Sequence, residues 1–158
     1  MVRYVKEDTT VAFREIPDEV SLAVNISNCP HHCKGCHSPY LQKDVGDVLS
    51  ERAVDRLIKE NDGVTCFLFM GEGDDLDEIF RLGMYIQTEY NLKVGIYSGS
   101  KEIPEKFWEE FDYIKLGGYD EDAGPLTSST TNQHLYKKES DWKTGENKWR
   151  DITNKFWR

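Results

Sequence analysis

Four short apolar runs, separated by stretches with helical periodicity, constrain this chain more than anything else in it. VSLAVNIS (Val20 to Ser27), VTCFLFM (Val64 to Met70), KVGIYSG (Lys93 to Gly99) and DYIKLGG (Asp112 to Gly118) read as buried strands. Between the first two, Ser50 caps ERAVDRLIKEND, whose Ala53, Val54, Leu57 and Ile58 form one stripe and which Gly63 ends. Next, Asp74 and Asp75 open DLDEIFRLGMYIQTEY, with Leu76, Ile79, Phe80, Gly83 and Met84 on one face. IPEKFWEEF makes a shorter helix with Pro104 in its first turn. Upstream, TVAFREIP reads as an edge strand ending at Pro17. Beyond Gly118 the pattern fades, with YKKES as a candidate final strand. Strand and helix in alternation predict βαβ units and a largely parallel sheet.

No repeat and no Pro/Gly linker divides the 158 residues, which read as one domain, 1–158, with a core over about 11–137 and a tail over 138–158. Lys and Arg number 20 against 29 Asp and Glu, a net charge of −9 that repels phosphate backbones and excludes nucleic acid as the expected partner. The one basic cluster, Lys143, Lys148, Arg150, Lys155 and Arg158, interleaves with Trp142, Trp149, Phe156 and Trp157. Glu139, Asp141, Glu146 and Asp151 dilute it, so the tail is expected to dock its aromatics on the domain or on a protein partner. No apolar run is long enough to span a bilayer, so no membrane contact is expected. The start of the chain lacks the apolar stretch of a secretory signal, and its odd cysteine cluster suits the reducing cytoplasm.

In sheets of this kind ligands gather at the carboxyl ends of the strands. Three unusual segments fall there: NCPHHCKGCHSPYLQ after the first core strand, GEG after the second, YSG after the third. The first holds Cys29, Cys33 and Cys36 among His31, His32 and His37. Three thiols cannot all pair as disulfides and are one ligand short of a closed four-thiolate site. Three readings stand open. Zinc would recruit one histidine as its fourth ligand. An electron-transfer cluster would need a fourth cysteine; the only spare, Cys66, lies in an apolar strand where packing is its ordinary role. An open [4Fe–4S] cluster would use three thiolates and leave one iron to a substrate. Structural zinc usually draws ligand pairs from separate parts of the chain, and no second pair exists here, which favours the open cluster. Pro30 stiffens the loop start, and Gly35 lets the backbone turn tightly.

The Cys-x3-Cys-x2-Cys spacing resembles the radical S-adenosylmethionine superfamily. Within it, Phe13 to about Tyr136 looks like the family of activating proteins of anaerobic (class III) ribonucleoside-triphosphate reductase. REIPDEVSLAVNISNCPHHCKGCHSP is like that family's opening strand and cluster loop, FLFMGEG like its Gly-Gly-Glu segment, and GIYSG like its Tyr/Trp-Thr-Gly turn. GGYDEDAGPLTSSTTNQHLY looks like the segment carrying its Gly-Ser-x-Asn-Gln signature, with Thr130 and Thr131 in place of the Gly-Ser before Asn132 and Gln133. Met70 stands where a first glycine is common, and Lys115 where an acid is.

The resemblance implies a partial (βα) barrel of radical S-adenosylmethionine type with a curved, mostly parallel sheet. It implies Cys29, Cys33 and Cys36 as ligands of a [4Fe–4S] cluster whose open iron chelates S-adenosyl-L-methionine. One electron, from a low-potential donor such as flavodoxin or ferredoxin, would cleave the S–C5′ bond and release methionine. The 5′-deoxyadenosyl radical would then take hydrogen from a glycine of the reductase's glycyl-radical subunit. Gly71, Glu72 and Gly73 would sit where an acid accepts from the cofactor's ammonium; a helix-start acid is the alternative for Glu72, and the glycine on each side favours ligand approach. Gly35, beside Cys36, and His37, against the adenine or in solvent, complete the expected cluster loop. Tyr97 and Ser98 would meet ribose or carboxylate, with core packing as the plain reading of Tyr97. Lys115 would pair with a carboxylate or snorkel. His31 and His32 are expected to face solvent, and the roles of Asn132 and Gln133 stay open. Activation of another glycyl-radical enzyme, or a non-enzymatic zinc-binding module, are the alternatives.

Overall fold

The periodicities resolve into twelve elements in the computed structural model, which describes residues 1–31, 38–141 and 143–157. In chain order they are β1 (Arg3–Tyr4), β2 (Thr10–Ala12), β3 (Ser21–Asn25), β4 (Asp47–Val48), α1 (Glu51–Glu60), β5 (Cys66–Met70), α2 (Leu76–Tyr90), β6 (Lys93–Tyr97), α3 (Glu105–Glu110), β7 (Tyr113–Leu116), β8 (His134–Ser140) and β9 (Asn147–Asp151). Seven strands form one sheet in the order β2-β3-β5-β6-β7-β8-β9, while β1 and β4 pair as a separate antiparallel ribbon.

Helix ends follow local chemistry. Ser50 accepts from the Ala53 amide at 3.1 Å and starts α1. Asp75 does the same for the Glu78 amide at 3.2 Å and starts α2, which ends at Asn91 in the left-handed conformation. Both helices and α3 cover one face of the sheet. Val54 and Leu57, Ile79, Leu82 and Ile86, and Phe107 pack there on Leu22, Val24, Phe67, Phe69, Val94, Ile96 and Ile114. Alternation sends Cys66, Leu68 and Tyr113 to the other face, where Ile16, Leu135 and Ile152 bury them. Each of the larger side chains fully buried this way stabilises the fold by about 1.5–3 kcal/mol.

The expected curved, mostly parallel partial barrel is corrected by the strand pairings. β3, β5, β6 and β7 run parallel, joined through α1, α2 and α3. β2, β8 and β9 pair antiparallel, so four of the seven pairings over both sheets are antiparallel. The result is a mixed α/β sheet with three α-helices among the described residues, all on one face. The reason is the connections. A parallel neighbour needs a crossover, usually a helix. The stretch between β7 and β8 carries Gly117 and Gly124 at φ +101° and +91°, followed by Pro125, so it turns instead of forming a helix, and the chain comes back antiparallel. TVAFREIP pairs only over Thr10–Ala12, and the chain then crosses beneath the sheet to bury Ile16.

The tail belongs to the same sheet. β9 hairpins onto β8, and the Trp149 indole donates to the Trp108 carbonyl at 2.9 Å while stacking edge-on against that ring. Among the described residues no helix is long and apolar enough to cross a membrane.

Candidate functional site

Because β3, β5, β6 and β7 run the same way, their carboxyl ends meet along one edge. Hydrogen bonds carry the ladder past the strand ends: Ile26 donates to the Met70 carbonyl, Ser98 to that of Lys115, and Gly117 to that of Ser100. The loops after these strands are therefore held side by side.

The loop after β3 is sewn shut at its base. Asn28, at φ +59°, reverses the chain. Its amide donates to the Lys43 carbonyl at 2.9 Å, and the Cys29 amide donates to the Leu41 carbonyl at 2.8 Å. Ser27 Oγ adds a bond to the Val45 carbonyl at 2.6 Å. Cys29 thus sits half-buried at the neck of the loop, its thiol 3.5 Å from the His31 carbonyl. Cys33, Gly35, Cys36 and His37, with His32, lie outside the described residues. Among the described residues no group of three His, Cys, Asp or Glu is arranged to hold a metal ion.

Glu72 is the centre of what is described. It leaves β5 between Gly71 and Gly73, at φ +121° and +59°, conformations that favour glycine. The turn presses on the end of β3, since a Cβ on Gly73 would lie 3.1 Å from Ile26 and 3.3 Å from the Ser27 carbonyl oxygen. The two glycines are accounted for by that contact. Only 4% of Glu72 is exposed, and its carboxylate is filled from two other loops. Ser98, wholly buried, donates to Oε2 at 2.7 Å, and Ser100 donates to Oε1 at 2.9 Å. The His31 Nε2 pairs with the same Oε1 and lies 3.2 Å from Ser100 Oγ. The imidazole rests on Gly99, where a Cβ would stand 2.6 Å from the ring. His31, expected in solvent, turns inward instead. Nothing local separates it from His32; its partner is 41 residues away. Ser100 went unread for the same reason, although the Ser-Gly-Ser repeat at a strand end was a usable signal.

Tyr97 and Lys115 fall on the other face. Adjacent in register, they place the Lys115 ammonium 5.2 Å from the Tyr97 ring centroid. Lys115 is only 7% exposed, so it is buried and not snorkelling. The Tyr97 hydroxyl donates to the Glu15 carbonyl, and burial, then the nearby Glu15 and Cys66, push its pKa up, so it stays a neutral donor. Its ring lines an apolar hollow of about 330 Å³ with Met70, Leu126 and Phe156. Asn132 and Gln133 donate to the Gly118 and Gly117 carbonyls at 3.0 and 3.3 Å and tie the returning chain to the end of β7. A cleft of about 560 Å³ opens beside them, lined by Gly99, Lys101, Tyr119, Asn132 and His134.

The structure therefore brings Glu72 and Ser98 together, adds His31 and Ser100, and sets Tyr97 and Lys115 on the opposite face. Chemically it offers a buried carboxylate at a strand-end edge, oriented by two hydroxyls and touched by His31, which stands two residues along the chain from Cys29. No family model, curated protein or solved structure matches the chain.

Proposed function

We propose that this protein is a radical S-adenosylmethionine activase that generates the glycyl radical of anaerobic ribonucleoside-triphosphate reductase in the cytoplasm. The observation that carries the reading is the meeting, at one sheet edge, of the neck of a three-cysteine loop with a buried, hydroxyl-held carboxylate. His31 touches Glu72, and its Cα lies at most about 7 Å from that of Cys29, so the neck of the cysteine loop and Glu72 share the same stretch of the edge. The reading rests on this site and not on the fold, since sheets of many kinds host unrelated chemistry.

The donor set fits an iron–sulfur cluster. Cys29, Cys33 and Cys36 are soft thiolate ligands inside the one loop that the Asn28–Lys43 and Cys29–Leu41 pairings close. When bound, the cluster and S-adenosylmethionine supply the one-electron cleavage chemistry that no side chain can. Glu72 is suited to accept from the ligand's α-ammonium, and Ser98 and Ser100 keep its two oxygens oriented for that contact. The buried setting strengthens that contact by excluding water.

Purification without oxygen is expected to give a brown protein with about four irons per chain, which Cys29→Ala, Cys33→Ala and Cys36→Ala each lose. Reduced protein should release methionine and 5′-deoxyadenosine in equal amounts, and should place a glycyl radical, read by electron paramagnetic resonance, on the reductase. A colourless protein holding one zinc would overturn the assignment. A radical that appears only on a different glycyl-radical enzyme would change the partner.

A further inference from the structure

The seat that His31 fills has the shape of a cation site. Its Nε2 stands between two acceptors, Glu72 Oε1 and Ser100 Oγ, the second 3.2 Å away. Its ring packs against Gly99, where a Cβ would stand 2.6 Å from it. An alkylammonium group asks for the same acceptors. Oε1 already accepts from Ser100 and pairs with His31, which fills its two lone-pair directions, so an ammonium takes the place of His31 there only when the imidazole leaves.

We propose, resting on the cofactor reading above, that His31 is a placeholder for the ligand's α-ammonium: it occupies the Glu72 carboxylate in the ligand-free protein and must leave when the amino-acid end of the ligand binds. His31 is thus a positioning residue. It keeps a buried carboxylate partnered and shaped while the site is empty, and this lowers apparent affinity by the fraction of molecules in which the seat is taken. The penalty falls only on ligands that carry the ammonium.

The test is titration calorimetry on the iron-loaded protein with two probes. S-adenosylhomocysteine keeps the α-ammonium but lacks the sulfonium. 5′-Methylthioadenosine lacks the amino-acid end altogether. His31→Ala should bind S-adenosylhomocysteine about ten-fold more tightly than wild type and 5′-methylthioadenosine equally well, since emptying a seat held about nine-tenths of the time relieves that factor. A single cooperative thermal transition and a far-ultraviolet spectrum matching wild type would establish that the variant is folded, even with the lower melting temperature that loss of a partner to the buried Glu72 brings. Unchanged or weaker S-adenosylhomocysteine binding would overturn the placeholder, and so would an equal change for both probes. If neither probe bound the iron-loaded wild type, the cofactor reading itself would fall, and the placeholder with it.

Discussion

Ser98→Ala isolates the bond that holds Glu72 in place. The Ser98 hydroxyl makes two bonds at once, donating to Glu72 Oε2 at 2.7 Å and accepting from the Ser100 amide at 3.0 Å. Alanine fills nearly the same volume, so the cost comes from hydrogen bonding and not from a cavity. A bond to a charged group contributes about 1.5–3 kcal/mol, and an ordinary one about 1. Glu72 keeps Ser100 and His31 as partners, which places the expected loss in the lower half of the sum, about 3 kcal/mol in a range of about 2.5–4. For a chain of this length that is a fall in melting temperature of about 6–12 °C. Urea unfolding at matched iron content measures it, and a double-mutant cycle with Glu72→Gln separates the carboxylate's share. The pair should couple by about 2 kcal/mol. A loss under about 1 kcal/mol with additive single effects would refute the argument that a buried, hydroxyl-held carboxylate organises this edge.

Three further outcomes follow from packing and charge. Gly83→Ala gains about 1 kcal/mol of helix propensity but drives a Cβ to within 2.6 Å of the fully buried Phe111 ring, so a net loss of about 1–2 kcal/mol is expected, relieved by Phe111→Leu. Tyr85 and Tyr90 donate to Asp55 Oδ1 at 2.8 and 2.5 Å; these bonds lower the Asp55 pKa and push both phenols up to about 12. Their stabilising contribution is therefore whole below the ordinary phenol range, near 10, and is lost as pH rises from about 10 to 12, while Asp55's is lost only on acidification below its ordinary range. In a phenolate absorbance titration, Asp55→Asn should return two of the late-titrating tyrosines toward 10 and leave the buried Tyr97 late. Burial, followed by Glu19 and Asp112, pushes the Cys66 thiol up, so a thiol reagent should leave Cys66 unlabelled until the protein is unfolded; labelling in the native state would contradict its fully buried position.

What could be read from the sequence was whatever depends on near neighbours. The stripes of Val54 and Leu57 and of Ile79, the caps at Ser50 and Asp75, and the four apolar core strands all follow from periods of a few residues. So did the presence of Glu72 and Ser98 at strand ends, because parallel strands joined by helices must end on one edge. Direction of pairing beyond Gly117 could not be read this way, since it turned on a glycine- and proline-rich connection that forms no helix and on the β9 hairpin that closes over Trp108. Nor could the seat of His31, the role of Ser100 or the burial of Lys115 against Tyr97. Each is a contact between residues many positions apart, 41 from His31 to Glu72 and 26 from Glu72 to Ser98, and only the folded sheet brings those loops within hydrogen-bond reach. The sequence by itself determined the three helices, the four core strands and the residue types that stand at their ends. Tertiary structure decided which of those groups meet, because a side chain's partner across a sheet is set by strand order and register, and no local period encodes either one.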